Sequence, residues 1–192
     1  MELLNKKIDR LLLSFNKKYR RFIDKKFHKI PVTKTALGFF FSGNDSMING
    51  SFEVEETHLI QRLLKSVDVF INVGANIGYY CCLSMQEKVP AIAFEPEPQN
   101  LKFLLKNIQA NGWESDIQVY PLGAGSSVGI ANMYSEGTGA SLIKGWSKSK
   151  SDLVASIPIS SLDLVIGDRL ANKKVLILID IEGAEYPALL GC

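Results

Sequence analysis

An apolar run, Val67–Val73, ends on Gly74, and Ala75-Asn76-Ile77-Gly78 then open a helical pattern. A run of this kind is expected of a strand buried on both faces, which requires a sheet with helices on either side. Gly74 lets the turn adopt a positive φ and lets a ligand approach the backbone closely. The amides at the start of the following helix are expected to be free and to suit a carboxylate or phosphate. Glu95 lies twenty-one residues after Gly74, at the tip of the next apolar run. A carboxylate there can accept hydrogen bonds from both hydroxyls of a ribose. The combination predicts a nucleoside-containing cofactor at the carboxyl ends of the strands.

The rest of the chain keeps the same rhythm. Helix is expected over Asn76–Glu87, strand over Ala91–Glu95 and helix over Gln99–Asn111, with Leu101, Leu104, Leu105 and Ile108 on its inner face and Gly112 closing it. A third strand follows at Ile117–Leu122. The connection 123–156 is rich in Gly and Ser, with a strand pair around Ile130–Tyr134 and Leu153–Ile157 and a lid-like Gly137-Thr138-Gly139-Ala140-Ser141. Ser160 or Ser161 caps a short helix to Leu170. Val175–Asp180 is another apolar strand, and Glu182–Leu190 begins a helix. Such alternation implies an α/β, Rossmann-like, doubly wound and mostly parallel sheet with right-handed crossovers.

Three segments precede or make up this domain. Residues 1–30 carry ten Lys/Arg against Glu2, Asp9 and Asp24, a charge of +7, whereas the whole chain sums to +2 and the remainder to −5. Leu4, Ile8, Leu11, Leu12, Phe15, Tyr19, Phe22, Ile23 and Phe27 recur at helical spacing opposite those cations. This basic amphipathic helix has three candidate partners: an anionic membrane surface, a helix of an oligomer, or its own domain. Residues 31–66 form a lead-in broken by Pro31, Gly38, Gly43 and Gly50, with a short buried strand at Phe39-Phe40-Phe41. Its helix, Thr57 to Lys65, turns Leu59, Ile60, Leu63 and Leu64 inward. Residues 67–192 form the cofactor domain. Cys81, Cys82 and Cys192 make no metal-ligand pattern and read as reduced thiols, and no apolar run approaches the roughly 20 residues needed to cross a bilayer. A cytoplasmic chain, with a peripheral membrane contact left open, is the expectation. The acidic body argues against a nucleic-acid partner, and Lys144, Lys148 and Lys150 alternate with serines rather than aromatics. His58 reads as a surface residue, Trp113 and Trp146 as packing residues.

The glycine spacing separates cofactors. A dinucleotide site needs G-x-G-x-x-G, but Asn76 stands at the middle glycine and Gly78 falls one position early for the third. That disfavours a pyrophosphate and a nicotinamide-dependent oxidoreductase. S-adenosylmethionine, which has no phosphate, suits the spacing better.

Asn72-Val73-Gly74-Ala75-Asn76-Ile77-Gly78, Phe94-Glu95-Pro96-Glu97-Pro98, Asn100, Asn107, Asn111, Leu162-Asp163 and Asp180-Ile181-Glu182-Gly183-Ala184-Glu185 occur in that order. Over about residues 50–192 the chain resembles the FkbM family of methyltransferases. The resemblance implies methyl transfer from S-adenosylmethionine to a hydroxyl of a sugar, glycan or other small acceptor. It implies that Gly74, Ala75, Asn76 and Gly78 line the methionine end of the cofactor, that Glu95 holds the ribose and that Pro96 packs near the adenine. Asp180 and Glu182 then face the methyl group and the acceptor as general base or orienting groups. Two departures stand out: Asn72 where the family usually has Asp, and Leu178 where it usually has Lys. The family also normally continues with further strands, so the domain is expected to be incomplete at its C-terminus.

Plainer roles stand beside these. Asp180 is placed to cap the last helix, and Glu182 to lie in its first turn. Glu182 and Glu185, three apart, would share a helix face, though no further ligand completes a metal site. A non-catalytic binding or assembly module that keeps the cofactor cleft is the alternative to an enzyme.

Overall fold

The computed structural model describes residues 30–134 and 153–192. The expected basic helix, the Gly137–Ser141 segment, Trp146 and the lysines around it lie outside the described residues. Residues 32–192 belong to one compact unit.

Its centre is a parallel sheet of four strands, β3 (Val69–Val73), β4 (Ala91–Phe94), β5 (Ile117–Tyr120) and β9 (Val175–Ile179), in the spatial order β5-β4-β3-β9. The order reverses beside β3: β4 pairs on one side in the register Asn72 to Ala93, β9 on the other in the register Asn72 to Leu178. Side chains alternate across each strand, so β3 contributes to two cores. Phe70, with Ala91, Ala93 and Ile117, packs under helices α2 (Val54–Leu64), α3 (Tyr79–Gln86) and α4 (Pro98–Asn111). Ile71 and Val73, with Ile92 and Phe94, pack on the opposite face against Leu162 of α5 (Leu162–Ile166) and Ala188 of α6 (Glu185–Leu189). This is the doubly wound arrangement that the apolar runs imply.

A smaller three-stranded sheet flanks it. β6 (Gly123–Ala124) runs parallel to β8 (Leu153–Ser160), and β7 (Gly129–Tyr134) pairs antiparallel with β8, which bears out the expected strand pair. Ser161, one of the two expected caps, accepts the Leu164 amide at 3.3 Å. The lead-in adds β1 (Thr33–Lys34), β2 (Phe40–Phe41) and α1 (Asp45–Asn49).

Several details differ from the sequence expectation. Of the inward stripe expected in α2, Ile60 and Leu64 are buried, but Leu59 and Leu63 are exposed and Thr57 takes the third inner position. In α4, Leu104 and Ile108 are buried and Leu105 is exposed. Phe40 also faces outward, between buried Phe39 and Phe41, as strand alternation demands. α3 starts at Tyr79 rather than Asn76, because Asn76 and Gly78 hold positive φ of 52° and 89°. α6 starts at Glu185 rather than Glu182 for the same reason, with φ of 53° at Glu182 and 95° at Gly183.

Candidate active site

The tips of β3, β4 and β9 open into one cleft. Asn72, Gly74, Ala75, Asn76, Glu95, Pro96, Asp180 and Glu182 all line it. Gly78 does not: it stands behind the turn, where a Cβ would clash with the Leu104 side chain of α4. Its φ of 89° and that close helix approach account for a glycine there.

Gly74 joins the two halves of the sheet. Its φ is 83°, and a Cβ on it would collide with the Asp180 carbonyl oxygen, while the Asp180 amide donates to the Val73 carbonyl at 3.0 Å. The main chains of β3 and β9 thus meet at the position where the strand order reverses, the usual place for a ligand in an open α/β sheet.

The turn amides are not free, contrary to expectation. Those of Gly74 and Ala75 both donate to the Phe94 carbonyl at 2.9 Å, and that of Gly78 to Ala75 at 2.8 Å. Asn76 N–H donates to Glu95 Oε2 at 2.7 Å, and Ile77 N–H to Asn76 Oδ1 at 2.9 Å. Glu95 Oε1 meanwhile accepts from the Glu97 amide at 2.8 Å and from Asn100 Nδ2 at 3.3 Å. The buried Glu95 carboxylate therefore ties the turn to the start of α4. Burial pushes its carboxyl above the usual range, against the opposing pull of those three hydrogen bonds.

Asn72 is buried on the α3 side of the sheet. Its Nδ2 donates to Cys81 Sγ at 3.7 Å, and its Oδ1, which faces the cleft residues, has no partner among the described residues. A buried acceptor without a donor is costly unless a ligand supplies one. Cys81 is an inert structural thiol: burial pushes it up to about 12.

Asp180 sits exposed at the mouth of the cleft. Partial desolvation first, then the charges of Glu182, Glu53 and Glu185, hold its carboxyl above the ordinary range. Neither Asp180 nor Glu182 caps α6. The helix has no side-chain cap at all; Glu185 Oε1 instead closes the turn before it, accepting the Ile181 and Gly183 amides at 3.3 and 3.0 Å. Glu182, outside the helix, shares no helix face with Glu185. Among the described residues no group of three His, Cys, Asp or Glu is placed to hold a metal ion. His58 is exposed and away from the cleft, and Trp113 packs half-buried against the core.

One wall of the cleft has no forerunner in the sequence reading. Asn44, Met47, Phe52 and Glu53 of the lead-in line it together with Tyr79 and Tyr80. Glu53 takes a left-handed conformation, φ 39° and ψ 60°, and its Oε2 accepts from Tyr80 Oη at 2.6 Å. The buried Tyr79 hydroxyl makes no well-formed hydrogen bond among the described residues; its polar neighbour Thr57 donates to the Phe52 carbonyl at 3.0 Å. The one available signal was the pair Tyr79-Tyr80 directly after the glycine turn.

The family profile described as the Methyltransferase FkbM domain matches residues 72–192, more than half of the chain. The chain belongs to the FkbM methyltransferase family. Membership brings S-adenosylmethionine as the cofactor, and the orphaned Asn72 oxygen beside a turn whose own amides are all used fits its ammonium group. No curated protein sequence is similar enough to register as a relative. Among solved structures, an FkbM methyltransferase from Methylobacillus flagellatus is 20% identical, covers 78% of this chain and 40% of its own, and has a TM-score of 0.44. TYW2 from Pyrococcus horikoshii, solved in complex with MeSAdo, is 23% identical over 46% of this chain and 36% of its own, with a TM-score of 0.38. The chain thus spans well under half the length of these solved relatives.

Proposed function

We propose that this FkbM-family chain is an S-adenosylmethionine-dependent O-methyltransferase whose acceptor is a hydroxyl of a sugar, glycan or other small molecule. The observation that carries the reading is the meeting of Asn72, Gly74 and Asp180 at the strand-order reversal, with Glu95 at the neighbouring strand tip. Asn72 Oδ1 would accept from the cofactor ammonium, Glu95 would hold the ribose, and Pro96 would pack beside the adenine. Ala75 and Asn76 shape the floor under the methionine end, and Gly78 supports the turn from behind.

When bound, the cofactor supplies a methyl group on a positively charged sulfur. An acceptor hydroxyl held beside Asp180 and Glu182 would be positioned to take that methyl group, with the S–C bonding pair left on sulfur as a neutral thioether. The hydroxyl proton passes to the Asp180 carboxylate, whose elevated affinity for protons suits a general base. Glu182, on the same rim, orients the acceptor.

Calorimetric titration with S-adenosylhomocysteine tests the cofactor half. Asn72→Leu should weaken binding at least about tenfold, equivalent to one buried hydrogen bond to a charged group, and Asn72→Asp should tighten it. Glu95→Ala should abolish binding by losing the ribose contact and releasing the turn together. A folded wild-type chain that binds no S-adenosylhomocysteine would leave a binding or assembly module as the reading.

A further inference from the structure

The cleft is lined by four carboxylates, Glu53, Glu95, Asp180 and Glu182, and by no Lys, Arg or His among the described residues. Glu95 is committed to the turn. S-adenosylmethionine carries a sulfonium, an ammonium and a carboxylate, so it brings one net positive charge to a cleft that also holds Glu53 and Asp180. The wall that carries Glu53 is also aromatic. Phe52 and Tyr79 lie edge-to-face at 5.0 Å between ring centroids, and Tyr79 and Tyr80 at 5.4 Å. Within that wall the buried Tyr79 oxygen makes no well-formed hydrogen bond among the described residues. Tyr80 fixes the direction of Glu53 by donating to Oε2.

Aromatic rings, a carboxylate and an unsatisfied hydroxyl on one wall make the chemistry that recognises an ammonium ion. A carboxylate-lined cleft concentrates cations and repels anions. No metal-binding group of side chains is present among the described residues to balance the acids instead. Resting on the methyltransferase reading above, we infer that the acceptor carries a protonated amino group near its reacting hydroxyl, seated between Glu53 and the Phe52–Tyr79–Tyr80 wall. The amine then sits on the lead-in wall while the hydroxyl faces Asp180. The same charges repel phosphorylated and carboxylated acceptors. Asp180 feels the charge of Glu53, in accord with the two carboxylates facing one space.

The test uses the full chain saturated with S-adenosylhomocysteine and three matched probes: trans-2-aminocyclohexanol, trans-1,2-cyclohexanediol and trans-2-hydroxycyclohexanecarboxylate. Saturation-transfer NMR gives their relative affinities. The amino alcohol should bind about tenfold tighter than the diol, and the hydroxy acid should give no signal. Glu53→Gln should erase most of the amine's advantage, and Tyr80→Phe, which keeps the ring, should erase part of it. Neither change should alter S-adenosylhomocysteine affinity. Equal or tighter binding of the diol or hydroxy acid, no binding of any probe, or an amine preference that survives Glu53→Gln overturns the proposal. Lost S-adenosylhomocysteine affinity in Glu53→Gln also overturns it, by assigning Glu53 to the cofactor. A wild-type chain that fails to bind S-adenosylhomocysteine at the outset refutes instead the methyltransferase reading on which it rests.

Discussion

Gly74 and Gly112 both hold left-handed backbone, φ 83° and 70°, but a Cβ on Gly112 meets nothing within 4 Å while one on Gly74 strikes the Asp180 carbonyl. Gly112→Ala should therefore cost about 1 kcal/mol, the conformational penalty alone. Gly74→Ala should cost a further ~1–3 kcal/mol, because the β9 tip must move. Denaturant unfolding of the two variants separates the terms; equal costs would mean that the close approach of β3 and β9 adds nothing. Asp180 yields a pH prediction. As a base it works deprotonated, so kcat/KM should rise with pH along a limb set above the ordinary carboxylate range. Glu182→Gln removes a negative neighbour, makes the charged form of Asp180 easier to reach, and should move that limb to lower pH. A limb that stays in place would remove Asp180 from the role of base. Both residues stand out in the sequence because they end an apolar run. The strain at Glu182 does not, since a positive φ on a non-glycine leaves no compositional mark.

At the scale of elements, α4 does more than pack. Asn107 Oδ1 accepts the Ser42 amide at 2.7 Å and its Nδ2 donates to the Ile77 carbonyl at 2.8 Å. Asn111, one turn on, treats both backbone groups of Phe40 the same way, at 2.8 and 2.7 Å. Two side chains at helical spacing thus serve β2 as a strand partner would, and tie the lead-in to the cofactor domain. Asn107→Ala leaves buried backbone groups unsatisfied and should lower stability by about 1–3 kcal/mol; Asn111→Ala, nearer solvent, should lower it by less. Comparable losses measured by chemical denaturation would contradict the difference in burial. The strands and α4 were legible because their apolar periods are long and their caps conventional: Glu97 and Pro98 at the start, Gly112 at the end. The late starts of α3 and α6 were not, because the residues before them follow the glycine turn and the strand crossing rather than local propensity. The asparagines were visible only as resemblance, and their work depends on where a distant strand comes to lie.

For the molecule as a whole, the cleft draws its walls from the lead-in, the central sheet and the small β6-β8-β7 sheet. A ligand in it bridges segments far apart in sequence and should stabilise the unit globally. S-adenosylhomocysteine at about a hundred times its Kd adds ~2.7 kcal/mol, or roughly 5–10 °C in Tm for a chain of this size. No shift in a thermal melt would mean that the cleft does not take the cofactor. The strand-tip half of this site was readable, since Gly74, Glu95 and Asp180 lie where apolar runs end. The lead-in wall was not, because Phe52 and Glu53 reach the cleft only through the fold. A cleft of this kind works in a mixture where many small molecules share an adenine and a ribose, so contacts to those parts sort nothing. With all five amides from Gly74 to Gly78 already closed, a phosphate arriving at the turn finds none of the free backbone donors that a nucleotide site offers. Nucleotides are turned away by what the turn withholds, and rejecting them requires neither a gate nor a steric block.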